Sequence, residues 1–320
     1  MKKYFLFIAV ALVAISCKKE NEVEEKVAAV PVKEVKIERF DKAFFESKEE
    51  DLPKLKQQFA DFFPEGTPDE VWLQRMQDPF LRQLYAEVQK QYPDLKGLEN
   101  DFEGLFKHIK FYYPDFKDPR VVTLVNDDET TKALYSKNMV IVPLSLYLGK
   151  NNKIYEGLPK YQVQEFEKSQ ILPDVVTSFA EEKIKFPMDR ALIAQMVYHG
   201  KQLYLKDLLL PDVTDAARIG YTEDQIKWAQ ANEEEIWRYF IDNKLLYDTD
   251  VKLASRFINP APFSKFYLEI DNDSPGRVGQ WVGWQIVRSY AENNPKVNLQ
   301  QLLQMDAKTI FENSKYKPKK

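Results

Sequence analysis

The hydrophobic period of this chain changes once and then changes back, and that reversal sets the class of fold open to it. Residues 37–115 read as helical. Leu52, Leu55, Phe59 and Phe62-Phe63 recur at helical spacing before Pro64-Glu65-Gly66 interrupts them. Thr67-Pro68-Asp69-Glu70 reads as a cap with proline in the first turn, and Val71, Met76, Phe80, Leu84 and Val88 follow on one face, divided or kinked at Pro79. A third helix is expected over Leu98–Tyr112, with Phe102, Leu105, Phe106 and Ile109 inward and His108 at the surface or its boundary. The period then switches to two. Arg120–Val125 is short and β-branched, bounded by Pro119 and Asn126-Asp127-Asp128, and Met139–Leu148 is a second extended run. Pro143 places that second strand at a sheet edge or at a bend. Helical spacing resumes near Leu172–Glu182 and continues to the end. The expected architecture is α+β: a small β-sheet set into a mostly helical domain with a helical C-terminal part.

Three segments of the second half carry most of the information. The first is a helix over Asp189–Leu205 containing Gln195-Met196-Val197-Tyr198-His199. In a His-Glu-x-x-His helix, two imidazoles one turn apart bind zinc while the glutamate deprotonates the metal-bound water. Gln195 stands at the first ligand position and Met196 at the base position, so only His199 keeps the required chemistry. An amide oxygen is a poor zinc ligand and a thioether takes no proton. The second segment begins at Thr222-Glu223-Asp224-Gln225, a capping box, from which Ile226, Ala229, Glu233, Ile236 and Phe240 share one stripe. Glu233 therefore lies on an apolar face while Glu234 and Glu235 turn outward. A buried carboxylate needs a partner, and Arg190, Arg218, Arg256 or a histidine are the options. The third segment, Ser274–Tyr290, places Gly279 and Gly283 four residues apart, a bare helical face for internal packing or for dimerisation. Its tryptophans, with Trp228 and Trp237, are expected in the core.

The chain opens with Lys2-Lys3, an apolar run over Tyr4–Val13, and Ala14-Ile15-Ser16 before Cys17, its single cysteine. Ten apolar residues are too few to span a bilayer and read as a signal peptide. The small residue before the cysteine is similar to a bacterial lipobox, with Ala14 in place of the more usual leucine. That similarity implies cleavage after residue 16 and a lipid on Cys17, giving a signal peptide at 1–16, a lipid-anchored flexible tether at 17–36 and a globular domain at 37–320. Ordinary secretion with a free thiol is the alternative. Lys18 follows the cysteine where inner-membrane lipoproteins often carry aspartate, which favours the outer membrane. The tether is charged and poor in aromatics, and the terminal 315–320 run is expected to fray.

Composition excludes little but is useful at two points. A net charge of −4 gives no electrostatic reason to expect nucleic acid as a partner. His108 and His199 are the only histidines and form no local metal motif, so no cofactor is expected.

The order of the pieces resembles the zincin (zinc metallopeptidase) plan, in which a glutamate on the helix after the His-Glu-x-x-His helix is the third ligand. The resemblance implies vestigial metal positions at Gln195, Met196, His199 and Glu233, a degenerate motif and no catalytic residue. More closely, the chain resembles the GldB family of gliding-motility lipoproteins of Bacteroidetes. It does so at Cys17, Met196–Lys201, Ile219–Thr222, Asn232-Glu233, Ile236-Trp237, Ala261–Lys265 and Ser274–Tyr290. That resemblance implies a cell-envelope lipoprotein required for gliding, anchored to the membrane through Cys17. It also implies partners among the envelope proteins of gliding and type IX secretion, with the domain facing either the periplasm or the medium. A non-catalytic pseudo-peptidase is the expectation, an atypical zinc metallopeptidase the alternative, and peptide capture by strand addition along 139–148 a third course.

Overall fold

The computed structural model describes residues 22–319, and Cys17 with the rest of the expected signal segment lies outside them. The architecture is α+β and mostly helical, as the alternation of periods required. A four-stranded sheet has the order β1-β2-β4-β3, with β1 Ile37–Arg39, β2 Arg120–Leu124, β3 Leu134–Ser136 and β4 Met139–Pro143. β2 pairs in parallel with both β1 and β4, and β3 closes the far edge antiparallel to β4. β1 was expected as helix and is instead a strand of three residues, too short to show a period. The β3–β4 hairpin turns through Lys137 and Asn138, both at positive φ (48° and 64°), the two-residue turn whose twist matches paired strands.

β4 lies inside the sheet, not at its edge. Pro143 is its last residue, so the missing amide ends the strand. With β2 on one side and β3 on the other, residues 139–141 have no free edge for strand addition.

Successive residues of β2 face opposite sides, and the two sides are different cores. Val121 joins the main core with Val140 and Val142, whereas Val122 joins a smaller one. The smaller core is largely aromatic, built from Phe40, Phe44 and Phe45 on α2 Phe40–Glu46 and from Phe59 and Phe63 just after α3 Leu52–Gln58. Phe40 lies 4.8 to 5.8 Å from the rings of Phe44, Phe59, Phe62 and Phe63. Helices α4 Asp69–Gln77 and α5 Pro79–Gln91 cover it and are divided at Pro79 as expected. Asp78 caps α5 by accepting from the Leu81 N–H, whereas Thr67 caps nothing and α4 begins after Pro68.

Residues 22–36 are laid on the body, although they fall in the stretch read as a tether. Residues 22–28 form a helical turn, α1, in which Val27 is buried, and further on Val35 is buried as well. Glu99 and Glu103, one turn apart on α6 Lys96–Tyr112, accept from the backbone N–H groups of Ile37 and Val35. His108 on the same helix is buried beneath this segment, 3.3 Å from the Glu24 carboxylate.

The main core is organised by α9 Leu192–Leu209, in which 13 of 18 residues are buried. Its opening N–H groups, which a helix cannot satisfy itself, donate to the carbonyls of Asp248 and Leu246. After α7 Lys160–Val163, α8 Ile171–Lys183 packs on one side of α9. The short α10 Asp215–Ile219 follows it. The stripe from Ile226 to Phe240 is not one helix but two, α11 Glu223–Ala231 and α12 Glu233–Asp242, broken at Asn232. Thr222 and Gln225 form the expected capping box. α13 Lys252–Phe257 leads through an irregular loop to α14 Val278–Asn293, the principal partner of α9. α15 Leu299–Gln304 and α16 Ala307–Ser314 complete the chain, with α16 against both α9 and α14.

Glycine decides how α9 and α14 meet. A Cβ on Gly283 would lie 1.8 Å from the Met196 carbonyl oxygen, and one on Gly200 would lie 2.3 Å from that of Gly283. The backbones themselves are in contact. The bare face of Ser274–Tyr290 is thus used for internal packing, with Gly279 against Phe257 and Ile258 of the α13 end. Trp281 and Trp284 are buried, while Trp228 and Trp237 are only partly so. Among the described residues no helix is long and apolar enough to cross a membrane.

Candidate functional site

The residues expected at a zincin-like centre are each engaged by other parts of the chain. Gln195 and His199 lie a turn apart on the half-buried side of α9. The Gln195 amide donates to the Arg190 carbonyl at 3.0 Å, and His199 Nδ1 lies 3.0 Å from Gln202 Oε1. Met196 is fully buried, with its backbone beneath Gly283 of α14. Glu233 is buried at 2% exposure, as its place on the apolar stripe required. Its partner is neither an arginine nor a histidine. The Tyr316 hydroxyl donates to Oε1 at 2.7 Å, with the Lys319 N–H at 3.3 Å. The terminal run is therefore docked through residue 319, and the Tyr316 ring packs edge-on against Trp237 at 5.2 Å. Among the described residues, no three of His, Cys, Asp and Glu converge as a metal-holding group.

What surrounds the polar side of α9 is a buried ionic cluster. Asp174 of α8 accepts from Lys132 at 3.3 Å and from the Tyr147 hydroxyl at 2.9 Å. Glu165 bridges Lys132 and Arg277, the latter at 2.6 Å. Arg277 also donates to the Gly220 carbonyl, as does Gln164. Lys206 of α9 donates to the Arg218 carbonyl at 2.8 Å. Gly220 ends α10 at φ +74°, where a Cβ would collide with the Glu165 carboxyl at 2.9 Å, so both its backbone and its space require glycine.

Burial and charge set the proton affinities here. Burial raises the Asp174 carboxyl above its usual range, an effect its neighbours Lys132 and Lys206 only partly offset. Burial pushes Glu165 the same way, but Arg277 and Lys132 together outweigh it and hold that carboxyl low. Lys206 is pushed down to about 8, chiefly by burial. His199 is pushed down to about 4, again by burial first and then by Arg277 and Lys206. A neutral imidazole in a cation-rich setting is a poor metal-site precursor unless acids move toward it. The gap beside Glu165, Tyr221 and Arg277 is about 10 Å³, at the lower limit for one water. The cluster is a filled lock joining α7, α8, α9 and the start of α14.

A second ion network lies at the far end of α9. Asp207 and Asp215 are each held bidentately by Arg288 at 2.7 to 2.9 Å, and Arg218 bridges both carboxylates. The Trp284 indole N–H donates to Asp207 while the Arg288 guanidinium lies 3.7 Å from the Trp284 ring centroid. Every charge in it has a partner, so it fixes α9, α10 and α14 relative to one another.

Two of the open grooves among the described residues are lined largely by apolar side chains. One, of about 330 Å³, is lined by the α8–α9 connection, α9 and the α15–α16 junction. The other, of about 300 Å³, lies between α11, α12 and residues 266–270 and is lined by Trp228, Ile236, Tyr239 and Leu268. The sequence did not single out Lys132, Glu165, Asp174, Lys206 or Arg277. One signal was present: Gln195, His199, Gln202 and Lys206 fall at i, i+4, i+7 and i+11, a polar stripe on an otherwise apolar helix.

No curated protein and no solved structure is similar enough to this chain to count as a match. A family model does match, and it spans nearly the whole chain, residues 20–318, both cores and the docked C-terminal run included. On that match the chain belongs to the family described as gliding motility protein GldB, and its role is in gliding motility.

Proposed function

We propose that the protein serves gliding as a non-catalytic, lipid-anchored component of the cell envelope, acting by binding other proteins of the gliding and type IX secretion machinery. Envelope association accords with the lipoprotein character of the family. The anchor is the lipid expected on Cys17, in the outer membrane, with residues before 22 as the link to the folded body.

One observation carries the non-catalytic half of this reading. Each polar group at the expected metal positions is already engaged by the chain itself: Gln195 by Arg190, His199 by Gln202, Glu233 by Tyr316. Met196, at the base position, is packed in the α9–α14 contact and has no proton-accepting group. Catalysis at this helix would require new acids to reach His199 and a substrate cleft to open where the interior is full.

Metal analysis of the purified full chain, paired with a peptide-hydrolysis assay, tests this. The expected result is no stoichiometric zinc and no hydrolysis above buffer. Zinc bound one to one, and lost in His199→Ala, overturns the reading in favour of an atypical zinc metallopeptidase.

A further inference from the structure

The groove beside α9 has features that neither the ion clusters nor the core explain. The connection from α8 to α9 sets Phe186 and Met188 in solvent, 69% and 90% exposed, next to each other across Pro187. Isolated exposed apolar residues are ordinary, but these two flank a concave surface of about 330 Å³ floored by Ala194, Val197 and Tyr198. Phe186 is held in place by its edge-to-face contact with Tyr198, ring centroids 5.1 Å apart.

The charges around this surface are unequal in their commitments. Its two carboxylates also bind the local backbone, and the charge of Asp306 offsets that of Lys201. Asp189 accepts from the Ala191 N–H, and Asp306 caps α16 by accepting from the Thr309 N–H and hydroxyl. Three lysines line the same surface. Lys201 is buried in its wall and donates to the carbonyls of Leu303 and Met305, which hold its ammonium at the groove. Lys185 is exposed and makes no ion pair among the described residues, and Lys308 meets only Glu312, at 3.9 Å. An apolar floor with two exposed hydrophobic side chains, the unpaired Lys185 and the loosely paired, exposed Lys308 at its rim complements a ligand with an apolar body and an adjacent carboxylate.

We propose that this groove docks a peptide segment of a partner protein, one that places a large apolar side chain against Phe186, Met188 and Tyr198 and an acidic group beside Lys185 and Lys308. The groove is open to solvent and its floor residues Ala194, Val197 and Tyr198 are buried, so it admits a segment lying across it. The inference rests on the interaction role proposed above and names the chemistry of the partner. Apolar anchoring supplies affinity, and the lysine rim supplies orientation and preference among partners.

The test uses purified full chain and three probes: a fluorescein-labelled peptide carrying Leu-Phe followed by Asp-Glu, its Leu-Phe-Lys-Lys counterpart, and sodium laurate. Saturable anisotropy change with the acidic peptide, and little with the basic one, is expected. Met188→Ser and the Lys185→Glu, Lys308→Glu double variant alter only exposed side chains and are expected to weaken that binding by about tenfold or more. Circular dichroism of each variant separates lost binding from lost fold, and Arg75→Glu, a variant remote from the groove, is expected to bind as the parent does. Equal binding of both peptides, unchanged binding in the groove variants, or no saturable binding of the acidic peptide overturns the proposal. Displacement by laurate at lower concentration than by unlabelled peptide also overturns it, because the groove is then a lipid site. None of these outcomes bears on zinc content or hydrolysis, so this proposal and the non-catalytic reading fail separately.

Discussion

Replacing Gly283 by alanine places a methyl group where the two central helices already touch. The new Cβ would lie 1.8 Å from the Met196 carbonyl oxygen, against 3.4 Å where ordinary contact begins, a shortfall of 3.4 − 1.8 = 1.6 Å. The obstructing atom belongs to the α9 backbone, so no side chain can swing aside and the helices themselves must part. A radial gap of about 0.5–1 Å already forfeits a quarter to a half of the dispersion attraction across a contact. Overpacking of this kind costs about 1–3 kcal/mol, and more where backbone must move. Alanine's better helix propensity returns about 1 kcal/mol. With the cost at the top of that range the expected net loss is about 2 kcal/mol, which for a protein of this size lowers the melting temperature by roughly 4–8 °C. Trp281 and Trp284 flank the crossing and are buried, so tryptophan fluorescence in a urea titration reports on it directly. Gly104→Ala is the control. Nothing lies within 4 Å of a Cβ at Gly104, midway along α6, and that variant gains about 1 kcal/mol. A wild-type midpoint for Gly283→Ala, or an equal fall for Gly104→Ala, would refute the close crossing as the reason for glycine.

Three further outcomes are expected. Gln285 buries its amide nitrogen with no hydrogen-bond partner among the described residues, so Gln285→Met is expected to raise the unfolding free energy by about 1 kcal/mol, checked by urea denaturation. His199 has a folded pKa of about 4, below its ordinary 6.5, so the unfolded chain takes up the proton first. Its contribution is complete above pH 6.5 and is lost as the pH falls toward 4, up to about 3 kcal/mol in all. His199→Gln is expected to flatten that part of the stability curve, and parallel curves for the two proteins would disprove it. Tyr316→Phe leaves the buried Glu233 carboxylate with only the Lys319 N–H, at a cost of about 1–3 kcal/mol. Amide hydrogen exchange should then quicken over residues 307–319, and unaltered exchange there would rule out Glu233 as the latch.

The helices and the two longer strands were legible because their patterns run long enough to average out local exceptions. β1 and β3 have three residues each, less than two full periods of a strand, and their pairing is fixed only by neighbours up to 84 residues away. The break at Asn232 leaves no mark on the period, because the apolar stripe keeps its phase across it although the helix does not. Of the two places open to Pro143, a sheet edge or a bend, the chain uses the second: the strand ends there and turns away at Leu144–Leu146, where the missing amide is not needed. Glu233 was rightly placed on a buried face, yet its partner came from the last residues of the chain, which composition alone would leave frayed. The ion cluster has the same character: Lys132, Glu165, Asp174, Lys206 and Arg277 come from five separate segments, and no local spacing joins them.

The crossing of α9 and α14 also governs the order in which the fold can form. Synthesis delivers α9 first, with 13 buried positions and its principal partner still to come. From Leu209 to Asn293 is 293 − 209 = 84 residues, which a ribosome adds in roughly 4–17 s. Helix α8 is in place by then and can shelter one side of α9, but the glycine side stays bare until α14 arrives. A helix apolar on several faces, waiting for seconds without its partner, is an aggregation hazard and a natural client for chaperones. Because the contact is made backbone to backbone, no looser, partly packed version of it retains much of the attraction. Docking of α14 is therefore a late and cooperative step, and whatever delays that segment leaves the centre of the molecule open.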